Sequence, residues 1–133
     1  MSKLLDLLLR DEVPDVSKNL PTNQVKVKRL SKLVGEDVVF TLRALPYGRV
    51  EDMKKAEGDT AIPILLSGLV EPDPKDKALQ ERFGGATPAE TLKRLLLPGE
   101  IEDLSREVEK LSGYRTVTIE EIKNDSGTET TLN

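Results

Sequence analysis

Cysteine and histidine are both absent from this 133-residue chain, tryptophan is absent too, and the aromatics amount to two Phe and two Tyr. Each absence removes a class of chemistry. Without thiols there is no disulfide scaffold, and without thiol or imidazole no thiolate or imidazole metal centre. Ser–His, Cys–His and imidazole acid–base catalysis are excluded on the same ground. Positive charge is not in excess: 20 Lys and Arg face 24 Asp and Glu, for a net −4, which argues against a strongly basic nucleic-acid binder. Long apolar runs are missing as well. The leucine-rich start is cut by Asp6 and followed at once by Arg10, Asp11 and Glu12, so it suits neither a membrane span nor a signal peptide. The expected compartment is the cytoplasm.

What is present is a hydrophobic content of 37% beside 33% charged residues, enough apolar material for one small packed core. Leu4, Leu5, Leu8 and Leu9 fall at i, i+1, i+4 and i+5, one apolar stripe on a short helix over 2–12 with Ser2 as its cap. Pro14 ends it, and the Pro and Asn content of 13–23 reads as a linker. Val25 and Val27 alternate with Lys26 and Lys28 in a half-buried strand over 24–30, Gly35 turns the chain, and the β-branched run 37–45 is a second strand. These form an antiparallel hairpin with a longish loop.

Beyond Pro46 the period becomes helical. Val50, Met53 and Ala56 line one face of a helix closed by Gly58. Asp59 caps a helix over 60–70, with Pro63 in or near its first turn, and a short helix over 75–83 is closed by Gly84 and Gly85. Thr87-Pro88-Ala89-Glu90 combines a capping Thr, Pro at the first helical position and Glu at the third, opening a helix to about Leu97 with Leu92, Leu95 and Leu96 inward. Ile101, Leu104, Val108 and Leu111 mark a longer helix over 100–112, closed by Gly113. Thr118 and Glu121 suggest one more capping pair, opening a short helix over 118–124. The fold class is therefore α+β and mainly helical, an N-terminal β-hairpin packed against five or six short helices. The expected organisation is a helical arm and linker over 1–23, a single domain over 24–124 and a flexible polar tail over 125–133.

Candidate chemistry is thin. The carboxylates Glu71, Asp73, Asp76, Glu100, Glu102, Asp103, Glu120 and Glu121 are best read as solvated helix faces. Residues 71–76 lack the central Gly and the ligand pattern of a calcium loop. Gly84-Gly85 stands outside any phosphate-cradling motif. Lys26, Lys28, Arg29 and Lys32 form a basic patch without the interleaved aromatics that stack on bases. No catalytic residue, cofactor or metal ligand is expected, and neither nucleic acid nor membrane is an expected partner. The leucine stripe Leu4, Leu5, Leu8 and Leu9 is the candidate partner-binding element, provided the linker holds it off the body.

Several segments together resemble one family. They are VKVKRLSKLVGEDVVFTLRAL at 25–45, LLSGLVEPDPKDKALQERFGGATPAETLKRLLLPGEIEDLSREVEKLSGY at 65–114, and IEEIKN at 119–124. In their order and spacing, chiefly Glu71-Pro72 before Lys75-Asp76, Phe83-Gly84, Thr87-Pro88, Leu97-Pro98-Gly99-Glu100-Ile101 and Leu111-Ser112-Gly113-Tyr114, they look like the XkdN-like tail assembly chaperones of contractile-tailed phages and defective prophages. Pro46-Tyr47-Gly48-Arg49 and Pro63 depart from the family pattern, so the geometry of 46–70 is the least constrained by it. The resemblance implies a non-catalytic protein of the bacterial host cytoplasm, absent from the mature virion. It implies binding to the long, helical, apolar tape-measure protein, kept soluble until tail-tube subunits polymerise around it. It extends the partner set to the tail-tube protein, a longer frameshifted form of the same chain, and self-association. The competing role is a structural tail or adaptor protein retained in the particle.

Overall fold

The structure is a computed structural model and describes residues 2–55 and 58–123. Along the chain run α1 (Lys3–Leu8), β1 (Thr22–Lys26), α2 (Lys28–Val34), β2 (Val39–Arg43), α3 (Tyr47–Lys55), α4 (Ala61–Gly68), β3 (Leu69–Glu71), α5 (Lys77–Phe83), α6 (Pro88–Leu95) and α7 (Pro98–Leu111). The α+β, mainly helical class is as expected. The expected flexible tail over 125–133 lies outside the described residues, as do Ala56 and the side chain of Met53.

β1 and β2 pair antiparallel in register Thr22↔Arg43 through Lys26↔Val39. Phe40 and Leu42 are buried and alternate with exposed Val39 and Arg43, as a strand with one covered face requires. Two elements differ from the reading of the sequence. The hairpin loop is itself a helix: the chain leaves β1 at Lys26 and α2 begins at Lys28. Ser31 holds it there, its buried hydroxyl donating to the Val27 carbonyl and accepting from the Val38 amide, both at 2.8 Å. Gly35 does turn the chain, as a left-handed C-cap with φ 80°. Second, the helix over 60–70 stops at Gly68, and Leu69–Glu71 joins β2 as a third strand in the order β1-β2-β3. Exposed β-strand hydrogen-bonding groups on β2 are worth more to this stretch than another half-turn of helix.

The helices cover one face of the sheet. Ile64 and Leu65 of α4, Leu92 and Leu96 of α6 and its cap, and Ile101, Leu104 and Val108 of α7 close on Phe40 and Leu42 in one buried cluster. α4, α7 and β2 meet at Gly68, where an added Cβ would sit 2.5 Å from Val108 Cγ1 and 2.9 Å from the Arg43 carbonyl oxygen. Only a residue without a side chain lets α4 end against both α7 and β2.

Helix ends follow the capping chemistry written in the sequence. Asp59 accepts from the Ala61 amide at the head of α4 (2.9 Å). Asp76 accepts from the Ala78 and Leu79 amides of α5, and Thr87 from Glu90 at the head of α6. Pro63 lies in the first turn of α4, where helix amides have no intrahelical acceptor to lose. The helix expected over 118–124 is absent from its described part: residues 118–123 carry no helix, and Ile119 and Ile122 are almost fully exposed. A cap without an apolar face to bury does not hold so short a helix.

Candidate partner-binding surface

Several of the candidate titratable groups are spent on structure. Arg29 of α2 reaches across to α7, its Nε and Nη2 donating to the two oxygens of Glu100 at 2.9 Å each and Nη2 also to the Leu95 carbonyl. Glu100 accepts in addition from the Leu97 amide at the head of α7 (2.8 Å). The Arg29 guanidinium, outweighing partial burial, holds the Glu100 carboxyl below the usual carboxylate range and is itself held above its own. Asp73 and Asp76 cap turns, and Glu102 and Asp103 face Arg106 along α7. Glu71, Glu120 and Glu121 are exposed. No group of three or more Asp or Glu among the described residues is placed to hold a metal ion. The basic patch is divided: Lys26 on β1 pairs with Asp37 (3.0 Å), Arg29 is committed to Glu100, and Lys28 and Lys32 belong to α2.

The start of the chain carries one run of uncovered apolar side chains; Leu33 and Val34 at the end of α2, Tyr47 and Leu97 are uncovered elsewhere. α1 is capped by Ser2, whose Oγ accepts from the Leu5 amide at 3.0 Å, and no residue of the helix is buried. Leu4, Leu5, Leu8 and Leu9 are 64%, 40%, 54% and 65% exposed, and Leu7 is 44% exposed beside them. The sequence reading of four leucines missed Leu7. At 100° per residue Leu7 continues the stripe on its other side, and the five leucines span an arc of about 200°, leaving a polar strip of Lys3, Asp6 and Arg10.

Residues 2–20 bond to themselves. Val13 donates to Arg10, Lys18 to Asp15 and Asn19 to Val16, the Asp15 carboxylate accepts from Ser17, and Arg10 pairs with Glu12 at 2.7 Å. The tie to the body comes at Pro21, whose carbonyl accepts from the Ala44 amide at 2.9 Å. Val13 and Val16 are exposed as well. A second uncovered set, Val117, Ile119 and Ile122, follows α7 outside any helix or strand.

The model of the phage XkdN-like tail assembly chaperone family matches residues 5–124, nearly the whole chain. The chain belongs to this family. The match includes the leucines from Leu5 onward as well as the packed body of this tail assembly chaperone. The crystal structure of the protein yqbn, a structural genomics consortium target, has a TM-score of 0.63 to it at 22% sequence identity, covering 80% of this chain and 94% of that one. At that identity the likeness speaks to the fold alone. No curated protein matches the sequence. No helix among the described residues is long and apolar enough to cross a membrane.

Proposed function

We propose that this tail assembly chaperone binds the tape-measure protein of its phage or prophage and keeps it soluble until tail-tube polymerisation displaces it. Leu4, Leu5, Leu8 and Leu9, with Leu7, are the contact on this chain. The observation that carries the reading is a capped helix with five leucines uncovered at the head of a chain whose family assembles phage tails. An apolar helix face of this kind docks on another apolar helix.

The magnitudes suit a partner that must leave. Burying what remains exposed of these leucines contributes about 4–8 kcal/mol, within the range of what association costs in lost freedom. One contact is therefore weak and reversible, and retention comes from many copies along one long partner. The net charge of −4 keeps such a complex in solution. The proposed setting is the host cytoplasm, with residues 1–23 as arm and linker to a domain over 24–124. The tail-tube protein and a longer frameshifted form of the chain are further proposed partners.

Co-expression of the chain with its tape-measure protein, followed by pull-down from the soluble fraction, tests this. The tape measure is expected to become soluble and to co-purify, and deletion of residues 2–12 to abolish both while leaving the body folded. A tape measure that stays insoluble with either form of the chaperone, or binds the deleted chain equally well, overturns the assignment. Mass spectrometry of purified particles separates the competing role: a chaperone is missing from them, whereas a structural tail protein is present in stoichiometric amount.

A further inference from the structure

The chain after α7 carries a complete helix start that the structure leaves unused. Thr118 and Glu121 are spaced as a capping box, and Val117 before them and Ile122 after them hold the two positions that staple a first helical turn. Glu120 and Glu121 place two carboxylates in that turn, where a helix N-terminus favours them. Yet residues 118–123 lie outside any helix. Val117, Ile119 and Ile122 are 88%, 84% and 83% exposed, each more than any of the five arm leucines. The signals for a helix are in place and the apolar cover that would hold it is not.

This segment leaves the body at a fixed point. Gly113 (φ 93°) and Arg115 (φ 58°) turn the chain off α7. The Tyr114 amide donates to the Glu109 carbonyl at 2.8 Å, and Arg115 Nε donates to the Glu109 carboxylate at 2.7 Å. Ser112 Oγ accepts from the Leu45 amide at 2.8 Å, while the adjacent Ala44 amide donates to the Pro21 carbonyl at 2.9 Å. Pro21 and Ser112 are therefore bonded to consecutive residues and lie within about 10 Å of each other. The leucine arm leaves the body at the first and the second uncovered set at the other. Extended chain from Ser112 reaches at most about 17 Å to Val117 and about 35 Å to Ile122, and from Pro21 about 40 Å to Leu9. Two apolar elements of comparable reach are rooted at one corner.

We infer that residues 117–123 are a second contact for the apolar helical partner proposed for the arm, and that they fold into a helix on it. Val117, Ile119 and Ile122 fall on one side of that helix and meet the partner, with Thr118 and Glu121 closing its first turn. This rests on the proposed role of the leucines and extends it. The occupant is shared because the corner is shared: a long helix lying on the arm is within reach of the second segment, whose engagement is then intramolecular. The family match runs through both uncovered segments, from Leu5 to residue 124. Folding on contact also keeps the grip releasable, since the cost of ordering the segment is set against the area it buries.

Hydrogen exchange on the full chain, free and in complex with its co-expressed tape-measure protein, reads each segment separately. Amides 118–123 should exchange freely in the chain alone and slow by about tenfold or more in the complex. Ile119→Ser with Ile122→Ser should weaken binding by about tenfold. Thr118→Ala with Glu121→Ala keeps every apolar side chain and should weaken it by about fivefold, because the helix start alone is lost. Circular dichroism and thermal unfolding confirm that both variants keep the folded body. A complex in which α1 gains protection while 118–123 exchange as in the free chain overturns this inference and leaves the functional proposal standing. Protection of 118–123 in the free chain also overturns it, since the chain then covers the segment itself, and so does a capping variant that binds as the wild type does. Protection of 118–123 without any at α1 supports the second contact and counts against the arm. A tape measure that stays insoluble overturns both.

Discussion

Gly68 shows how one missing side chain positions three elements. An added methyl would meet Val108 and the Arg43 carbonyl inside van der Waals contact, so Gly68→Ala should lower stability by about 1–3 kcal/mol. Gly99→Ala, where nothing lies within 4 Å of the new atom, should leave the urea midpoint nearly unchanged. Urea unfolding of the two variants side by side measures this. Glu100 carries the pH dependence at the same scale. Its carboxyl titrates lower in the folded chain than in the unfolded one. Its contribution is therefore complete above the ordinary carboxylate value of about 4.3 and is lost as pH falls through the lowered folded value. Thermal midpoints of the wild type should drop more steeply below about pH 4.5 than those of Glu100→Gln, whose curve is flatter there. The raised Arg29 value lies above any pH in that window. The role of Glu100 as a third helical residue at the head of α7 was invisible in the sequence, because its partner Arg29 lies in a segment that reads as a strand.

At the scale of elements, legibility tracks how local the stabilising interaction is. α5, α6 and α7 were readable to within about two residues, because Asp76, Thr87 and the period of Ile101, Leu104 and Val108 act within their own helices. α2 and β3 were not. The alternation of Val25 and Val27 with lysines continues toward Arg29, but the ladder ends at Lys26, and what closes the next turn is the Ser31 hydroxyl between Val27 and Val38. Ser31→Ala should cost about 1–2 kcal/mol, since it leaves the Val38 amide without its acceptor; denaturant unfolding measures the loss, and hydrogen exchange should place it in α2 and the β1–β2 connection. β3 exists because β2 offers an edge, a fact held by a strand some 30 residues earlier. The stripe of Leu4, Leu5, Leu8 and Leu9 was legible, and its exposure was not, since periodicity reports a face and not what covers it. Deleting residues 2–12 should move the thermal midpoint by less than about 2 °C, because surface changes outside the core stay within about 0.5 kcal/mol.

For the molecule as a whole, the division of labour is between a body that packs and a leading segment that does not. The body gathers Leu42, Leu45, Leu65, Leu69, Leu92, Leu96 and Leu104 into one cluster with Phe40 and closes the half-buried Arg29–Glu100 pair between α2 and α7. The leading segment keeps its leucines uncovered and joins the body through the Pro21–Ala44 hydrogen bond at the mouth of the sheet. This attachment carries an evolutionary consequence. Substitutions among residues 2–20 answer hardly at all to folding, so, with the proposed contact placed there, recognition can drift with the partner while the body stands still. The segment is also portable: exchanged between relatives as a cassette joined ahead of Pro21, it should carry its donor's preference with it, and a recipient that keeps its own preference would place recognition in the body.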